Sequence, residues 1–161
     1  MLLKISFDKL NLASHSLNKK QHMKFILTAL ILFITASLFA QSKHDLIVTT
    51  TGYKNKTGNI FISVYNSEHN YLNVSKASFL GIVKAVERKT SYTFKNIPDG
   101  VYAVSLFFDE NKNGKLDKNF FGIPTEKYGF SNNAKGFFGP AKFSKAKFEH
   151  HADQEITISL E

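Results

Sequence analysis

Asp109, Asn111, Asn113 and Asp117 place oxygen-bearing side chains along the run D-E-N-K-N-G-K-L-D, and Gly114 directly follows the third of them. Hard cations such as Ca²⁺ take six to eight oxygen ligands, and alternating Asp/Asn residues around a glycine turn are one way a short chain supplies them. Set against the twelve-position calcium loop, Asp109, Asn111 and Asn113 fall at positions one, three and five, and Gly114 at the turn. Lys115 offers its backbone carbonyl at seven, Leu116 is the apolar residue at eight, and Asp117 falls at nine. Phe120 stands at twelve, where a bidentate carboxylate belongs, so the run is not an EF-hand. Glu126 lies six residues further on and can fold back to supply that carboxylate. Only Asp109 and Asp117 among the proposed loop ligands are anionic, and Lys112, Lys115 and Lys118 lie between and beside them. That donor set predicts weak Ca²⁺ binding, about 10⁻⁴–10⁻³ M, and no other cofactor. The same residues also make a plain Asp/Asn/Gly turn in which the side chains cap backbone amides. Both readings stand at this point.

The chain from Phe120 to Phe143 is rich in Gly, Asn and aromatic residues, and a loop of that length is packed down or functional. One reading makes Tyr128, Phe130, Phe137 and Phe138 a platform for a glycan or peptide, with Asn132 and Asn133 as hydrogen-bond partners. The other has these aromatics plugging the open end of the fold, because exposed aromatic rings are costly without a partner.

What must position these residues is an exported domain. Phe25–Ala40 is a run of sixteen residues with no charge, too short for a comfortable membrane span of about 20 residues and suited to a secretory signal. Met23-Lys24 reads as its start, so residues 1–22 are an over-extension of the reading frame, 23–40 the signal peptide, and 41–161 one domain. The expected location is periplasmic or secreted, with no membrane contact after cleavage. Residues 41–161 carry sixteen basic against twelve acidic side chains, +4, spread too thinly for nucleic-acid binding. The chain has no cysteine, which excludes disulfides, thiol chemistry and bacterial-type lipidation of a cysteine.

The pattern after the leader is β throughout. His44–Thr51 is β-branched, and Gly58–Asn66 alternates Ile60, Ile62 and Val64 against Phe61, Ser63 and Tyr65. Thr90–Ile97 alternates again, Pro98-Asp99-Gly100 is a turn signal, and Val101–Phe108 is apolar enough for the centre of a sheet. Lys145–Glu149 and Glu155–Leu160 read as the final strands, and a short helix fits around Leu72–Leu80. Short strands with frequent turns predict an all-β, antiparallel β-sandwich of about seven strands with one long Gly/aromatic loop.

Two resemblances follow. Phe94-Lys95-Asn96-Ile97-Pro98-Asp99-Gly100-Val101-Tyr102 resembles the F-x-x-(I/L)-P-x-G-x-Y turn of transthyretin-like and carboxypeptidase-regulatory-like sandwiches, with an Ig-like sandwich as the alternative. A longer stretch joins Tyr102-Ala103-Val104, the Asp109–Asp117 loop, Gly122-Ile123-Pro124, Glu126, Tyr128-Gly129-Phe130-Ser131-Asn132-Asn133, Gly139-Pro140 and Phe143. It is similar to an exported bacterial family of unknown function, found in Bacteroidetes and Proteobacteria. That resemblance implies a small exported β-domain and no activity.

The expected function is therefore a non-catalytic binding or structural module at the cell envelope, partnered by a glycan or a protein. In it a Ca²⁺-tightened turn orders the aromatic loop. No nucleophile elbow, zinc-protease, P-loop or dinucleotide motif is present. The alternative is a small metal-dependent hydrolase using Asp109, Asp117 and Glu126 around a metal-bound water. His150 and His151 are neighbours expected at the surface, and His44 and His69 are expected to be isolated.

Overall fold

The computed structural model describes residues 19–28, 42–54, 57–85 and 88–161. The chain divides into two units, Met1–Gln41 and Ser42–Glu161. In the first, residues 19–28 are helical, and the Thr28 hydroxyl donates to the Lys24 carbonyl at 2.7 Å. The start-site and signal-peptide readings of 1–22 and 23–40 fall mostly outside the described residues. Among the described residues no helix is long and apolar enough to cross a membrane.

Among the described residues the second unit holds eight strands: β1 Lys43–Thr51, β2 Gly58–Tyr65, β3 Phe79–Ala85, β4 Thr90–Pro98, β5 Gly100–Asp109, β6 Tyr128–Phe130, β7 Phe148–His150 and β8 Gln154–Ser159. They form two sheets, β4-β1-β8 and β3-β2-β5-β6, with β7 pairing β5 beside β6. The fold is an all-β sandwich, as the alternation requires. One pairing departs from the antiparallel expectation: β8 runs parallel to β1, from Leu46↔Gln154 to Thr51↔Ser159.

Alternation explains which face goes in. Ile60, Ile62 and Val64 on β2 and Tyr102, Val104, Leu106 and Phe108 on β5 are buried against Leu46, Val48, Phe94, Ile97 and Ile158 of the other sheet. β5 is central, since β2, β6 and β7 all pair with it, which accounts for its nearly unbroken apolar sequence. Both sheets and the main core lie within Ser42–Glu161, so this unit completes its own hydrogen-bond ladders and apolar burial and folds by itself.

The segment read as a short helix is instead two 3-10 turns, Glu68–Asn70 and Val74–Lys76, followed by the unexpected edge strand β3. The strand expected at Lys145–Glu149 is a four-residue helix, Phe143–Ala146, running into the shorter β7. The long loop contains β6, whose three residues are too few to show a period.

At the start of β1 the register slips between His44 and Leu46, and Asn96 on β4 takes a left-handed φ of 56°. Asp45 stabilises this bulge by accepting from the Asn96 N–H at 3.1 Å and from the Lys95 ammonium. The Lys95 bond, followed by the Asn96 N–H, holds the Asp45 carboxyl below its ordinary value of 3.8. A depressed carboxylate pKa stabilises the folded state at neutral pH, and that contribution is lost as the pH falls below about 3.8. Asp45→Asn is therefore expected to lower the urea midpoint modestly at pH 7 and to match the parent in acid. Urea titrations across that range check it.

Candidate functional site

The acidic run leaves the end of β5 and closes on itself. Asp109 is fully buried; one of its oxygens accepts from the Asn113 N–H at 3.1 Å and the other from the Gly114 N–H at 2.8 Å. Asn111 Oδ1 also accepts from Asn113 N–H at 3.0 Å, and Asn113 Oδ1 from Lys115 N–H at 2.8 Å. These bonds wind the backbone around the side-chain oxygens, and Gly114, at φ 78°, takes the left-handed turn that a Cβ would oppose. Asp117 completes the ring, accepting from Asn111 Nδ2 at 2.6 Å and from Asn113 Nδ2 at 2.9 Å.

Glu126 does fold back. It is nearly buried and clamps the base of the loop, one carboxylate oxygen on the Glu110 N–H at 2.9 Å and the other on the Asp117 N–H at 3.1 Å. Asp109, Asn111, Asn113, Asp117 and Glu126 are thus linked through one network. Lys115 contributes its N–H to this network, and its side chain is exposed. Among the described residues no group of three or more His, Cys, Asp or Glu side chains converges as a metal-binding set. Any cation here would rely on Asn and backbone oxygens alongside the carboxylates. Asn111 and Asn113 present their Nδ2 groups to Asp117, and their side-chain oxygens accept from backbone N–H groups of the turn.

The aromatic residues separate into two groups. Phe130 is buried with Ala103, Ala141 and Ala146 on the outer face of the larger sheet, and Tyr71, Tyr128 and Phe143 pack against that cluster. Burial, and to a lesser degree the neighbouring Tyr65, pushes the Tyr71 phenol well above its usual value. Asn132 and Asn133 are used internally. Asn132 Nδ2 donates to the Lys145 and Lys147 carbonyls at 3.2 and 3.0 Å, and Asn133 Oδ1 accepts from Ser159 N–H at 2.8 Å. Both asparagines adopt left-handed φ, 59° and 48°, which Asn tolerates better than most residues. Phe137 and Phe138 project into solvent. A cavity of about 100 Å³ lies between β6, the loop after Asn133 and the C-terminus, lined by Tyr128, Phe130, Asn133, Lys135, Ser159 and Glu161 among others. None of the three carboxylates of the hydrolase reading lines it.

Phe120, Phe121 and Ile123, which were not among the expected binding residues, are also exposed. The available signal was a repeated Phe-Phe-Gly run, within the tetrads Asn119-Phe120-Phe121-Gly122 and Gly136-Phe137-Phe138-Gly139. The histidines also differ from expectation. His150 is fully buried at the end of β7, its Nε2 3.3 Å from the His44 carbonyl, while His151, just past the strand, stays exposed. His44 is not isolated: its Nε2 lies 3.3 Å from Asp99, and its Nδ1 3.7 Å from Asp153.

Residues 48–159 match the family described as "Uncharacterized protein conserved in bacteria (DUF2141)". No curated protein and no solved structure matches the chain.

Proposed function

The chain belongs to this bacterial family, DUF2141, and on that premise we propose that it is an exported, non-catalytic binding module whose acidic turn braces a recognition surface. The observation that carries the reading is the Glu126 clamp. One side chain ties the first and last residues of the Glu110–Asp117 run through two backbone amides, so the long connection behind β5 starts from a fixed base. A hydrolytic site would aim its carboxylates at a substrate. Here both oxygens of Asp109 and of Glu126 are directed at backbone N–H groups.

Export is supported by the uncharged run Phe25–Ala40. The sandwich frame is transthyretin-like in this reading, supported by the Phe94–Tyr102 turn sequence. Weak Ca²⁺ binding belongs to the same proposal. Each carboxylate oxygen of Asp109, Asp117 and Glu126 has a single hydrogen bond described, and a carboxylate oxygen has a further lone pair for a cation.

Thermal unfolding of residues 42–161 in EDTA, in excess Ca²⁺ and in excess Mg²⁺ tests it. With Ca²⁺ at about a hundredfold over Kd, linkage gives about 2.7 kcal/mol, a Tm rise of roughly 8–15 °C. A Ca²⁺-selective rise that disappears in Asp117→Ala supports the braced, cation-tightened turn. Superimposed curves remove the cation and leave the hydrogen-bonded turn as the whole brace.

A further inference from the structure

We propose that the two Phe-Phe turns form a docking surface for an anionic lipid bilayer, with the rings entering the headgroup region and the surrounding lysines holding the acidic surface. The inference rests on the binding-module reading and names the partner of its recognition surface.

Both turns are built to hold their rings out. In the first, Asn119 Oδ1 accepts from the Phe121 and Ile123 N–H groups, each at 3.0 Å. Asn119 N–H donates to the Ile123 carbonyl at 2.9 Å, and Lys118 bridges Pro124 below. Gly122, at φ 77°, closes the turn. In the second, a Cβ at Gly136 would lie 2.0 Å from the Gly139 carbonyl oxygen, so the two ends of the tetrad touch and Phe137-Phe138 form its apex. Phe120, Phe121, Phe137 and Phe138 are 97, 82, 92 and 96% exposed. A phenyl ring carries a large apolar area, and holding four of them in water on tightly hydrogen-bonded or pinched turns is unfavourable unless they are used.

The segments that carry the two turns both meet the C-terminal residue Glu161. Tyr128, which ends the first connection, exchanges backbone hydrogen bonds with Glu161 at 3.3 and 3.0 Å. Lys135, which opens the second, pairs with the Glu161 carboxylate at 2.6 Å.

Charge identifies the partner. Residues 110–147, between β5 and β7, hold eight lysines and three acidic residues, +5, and all eight lysines are exposed. The rest of 42–161 holds eight basic and nine acidic residues, −1. The surplus is therefore not spread along the domain; it is confined to the segment that carries the exposed rings. A second copy of the chain would bring this positive surface against its like in a symmetric contact, which is repulsive. Within each pair the rings stand at 83° and 84° to one another. Perpendicular rings with a lysine surround suit wedging among lipids, where each lysine close to an anionic surface strengthens binding about fivefold. This inference replaces the expectation of no membrane contact after signal cleavage.

Co-sedimentation of residues 42–161 with vesicles tests it. Binding to phosphatidylglycerol-rich vesicles is expected to exceed binding to pure phosphatidylcholine by at least about tenfold and to fall steeply with salt. The double variant Phe137→Ser/Phe138→Ser is expected to lose about tenfold or more while keeping the parent Tm, because those rings touch little besides each other. Lys112→Glu/Lys118→Glu should weaken only the anionic-vesicle binding. Equal affinity for both vesicles, no sedimentation with either, or full binding by the Phe variant overturns the proposal. Concentration-dependent dimerisation abolished by the same Phe substitutions, without vesicle binding, also overturns it. The Ca²⁺ melts contain no lipid, so failure here and failure of the braced-turn reading are told apart.

Discussion

Asp109→Ala is expected to destabilise the domain by about 3–4 kcal/mol, and Asp109→Asn by about 1–2 kcal/mol. The buried Asp109 carboxylate satisfies the N–H groups of Asn113 and Gly114 at once. Alanine leaves the Gly114 N–H without its acceptor and the Asn113 N–H with Asn111 Oδ1 only, and hydrogen bonds to a charged group contribute about 1.5–3 kcal/mol each. Removing a buried carboxylate also recovers part of its desolvation cost, which is why the expected loss stays below the sum of two such bonds. Asparagine keeps one acceptor oxygen and sets an amide N–H₂ against the other donor, so half the arrangement survives. Urea unfolding of the three proteins in EDTA measures both steps without any cation contribution. Losses of equal size in Ala and Asn would mean that the negative charge, not the acceptor geometry, holds the turn. Losses under about 1 kcal/mol in both would show that water replaces the carboxylate, and the brace would then rest on Glu126 alone.

The turn was legible in sequence because its chemistry is local. Asp, Asn and Gly at fixed offsets determine which oxygen meets which N–H within a few residues. Asp117 closing the ring and Glu126 returning to its base were both readable as residue types at plausible distances. Strands β1, β2, β4, β5 and β8 were readable for a related reason: β-branching, alternation or a continuous apolar run is contained within each strand's own sequence. What was lost depended on contacts between distant segments. Gly81 interrupts the apolar run of β3 and disguises it as something other than a strand. In the fold its missing side chain is required, because a Cβ there would stand 2.7 Å from the Tyr92 ring and 2.9 Å from the Phe94 ring. Strand β3 is thus defined partly by residues of β4, which no window along its own sequence contains. The parallel pairing of β8 with β1 joins positions more than a hundred residues apart and leaves no local mark. Burial of His150 has the same origin, since its ring packs edge-on to His44 and to Tyr102, at 6.0 and 6.1 Å. The fate of the aromatic loop divided along this line as well. Tyr128 and Phe130 belong to a strand that pairs with β5 and are drawn into packing, while the two Phe-Phe tetrads close on themselves and have no neighbour to pack against.

Ser131 ties neighbouring elements together, and its loss should loosen them. Its side chain is fully buried and joins two of them: its hydroxyl oxygen accepts from the Val104 N–H of β5 at 2.9 Å, and its O–H donates to the Ala146 carbonyl at the end of the short helix at 2.5 Å. β6 ends at Phe130, so without this hydroxyl the next amide of β5 on that side has no ladder partner. Ser131→Ala therefore strands a buried donor and a buried acceptor together, each costing about 1–3 kcal/mol, and a total loss of about 2–4 kcal/mol is expected. In a domain of this size that corresponds to a Tm lower by roughly 8–20 °C. The effect should also be local. Hydrogen exchange at Ala146 and Lys147, which bond back to Lys142 and Phe143 at 3.2 and 2.8 Å, is expected to accelerate beyond what the global loss explains. Ser131→Cys keeps the size of the side chain and a weak S–H donor, and should fall between the two proteins. If Ser131→Ala melts with the parent, a water has taken the hydroxyl's place, and the satellite cluster of Ala103, Phe130, Ala141 and Ala146 holds the helix by packing alone. If Ala146 exchange rises while β5 stays protected, the helix and its neighbouring Phe-Phe turn open as a unit separate from the sandwich. Vesicle binding through Phe137 and Phe138 should then weaken in Ser131→Ala, although neither ring touches the substituted residue.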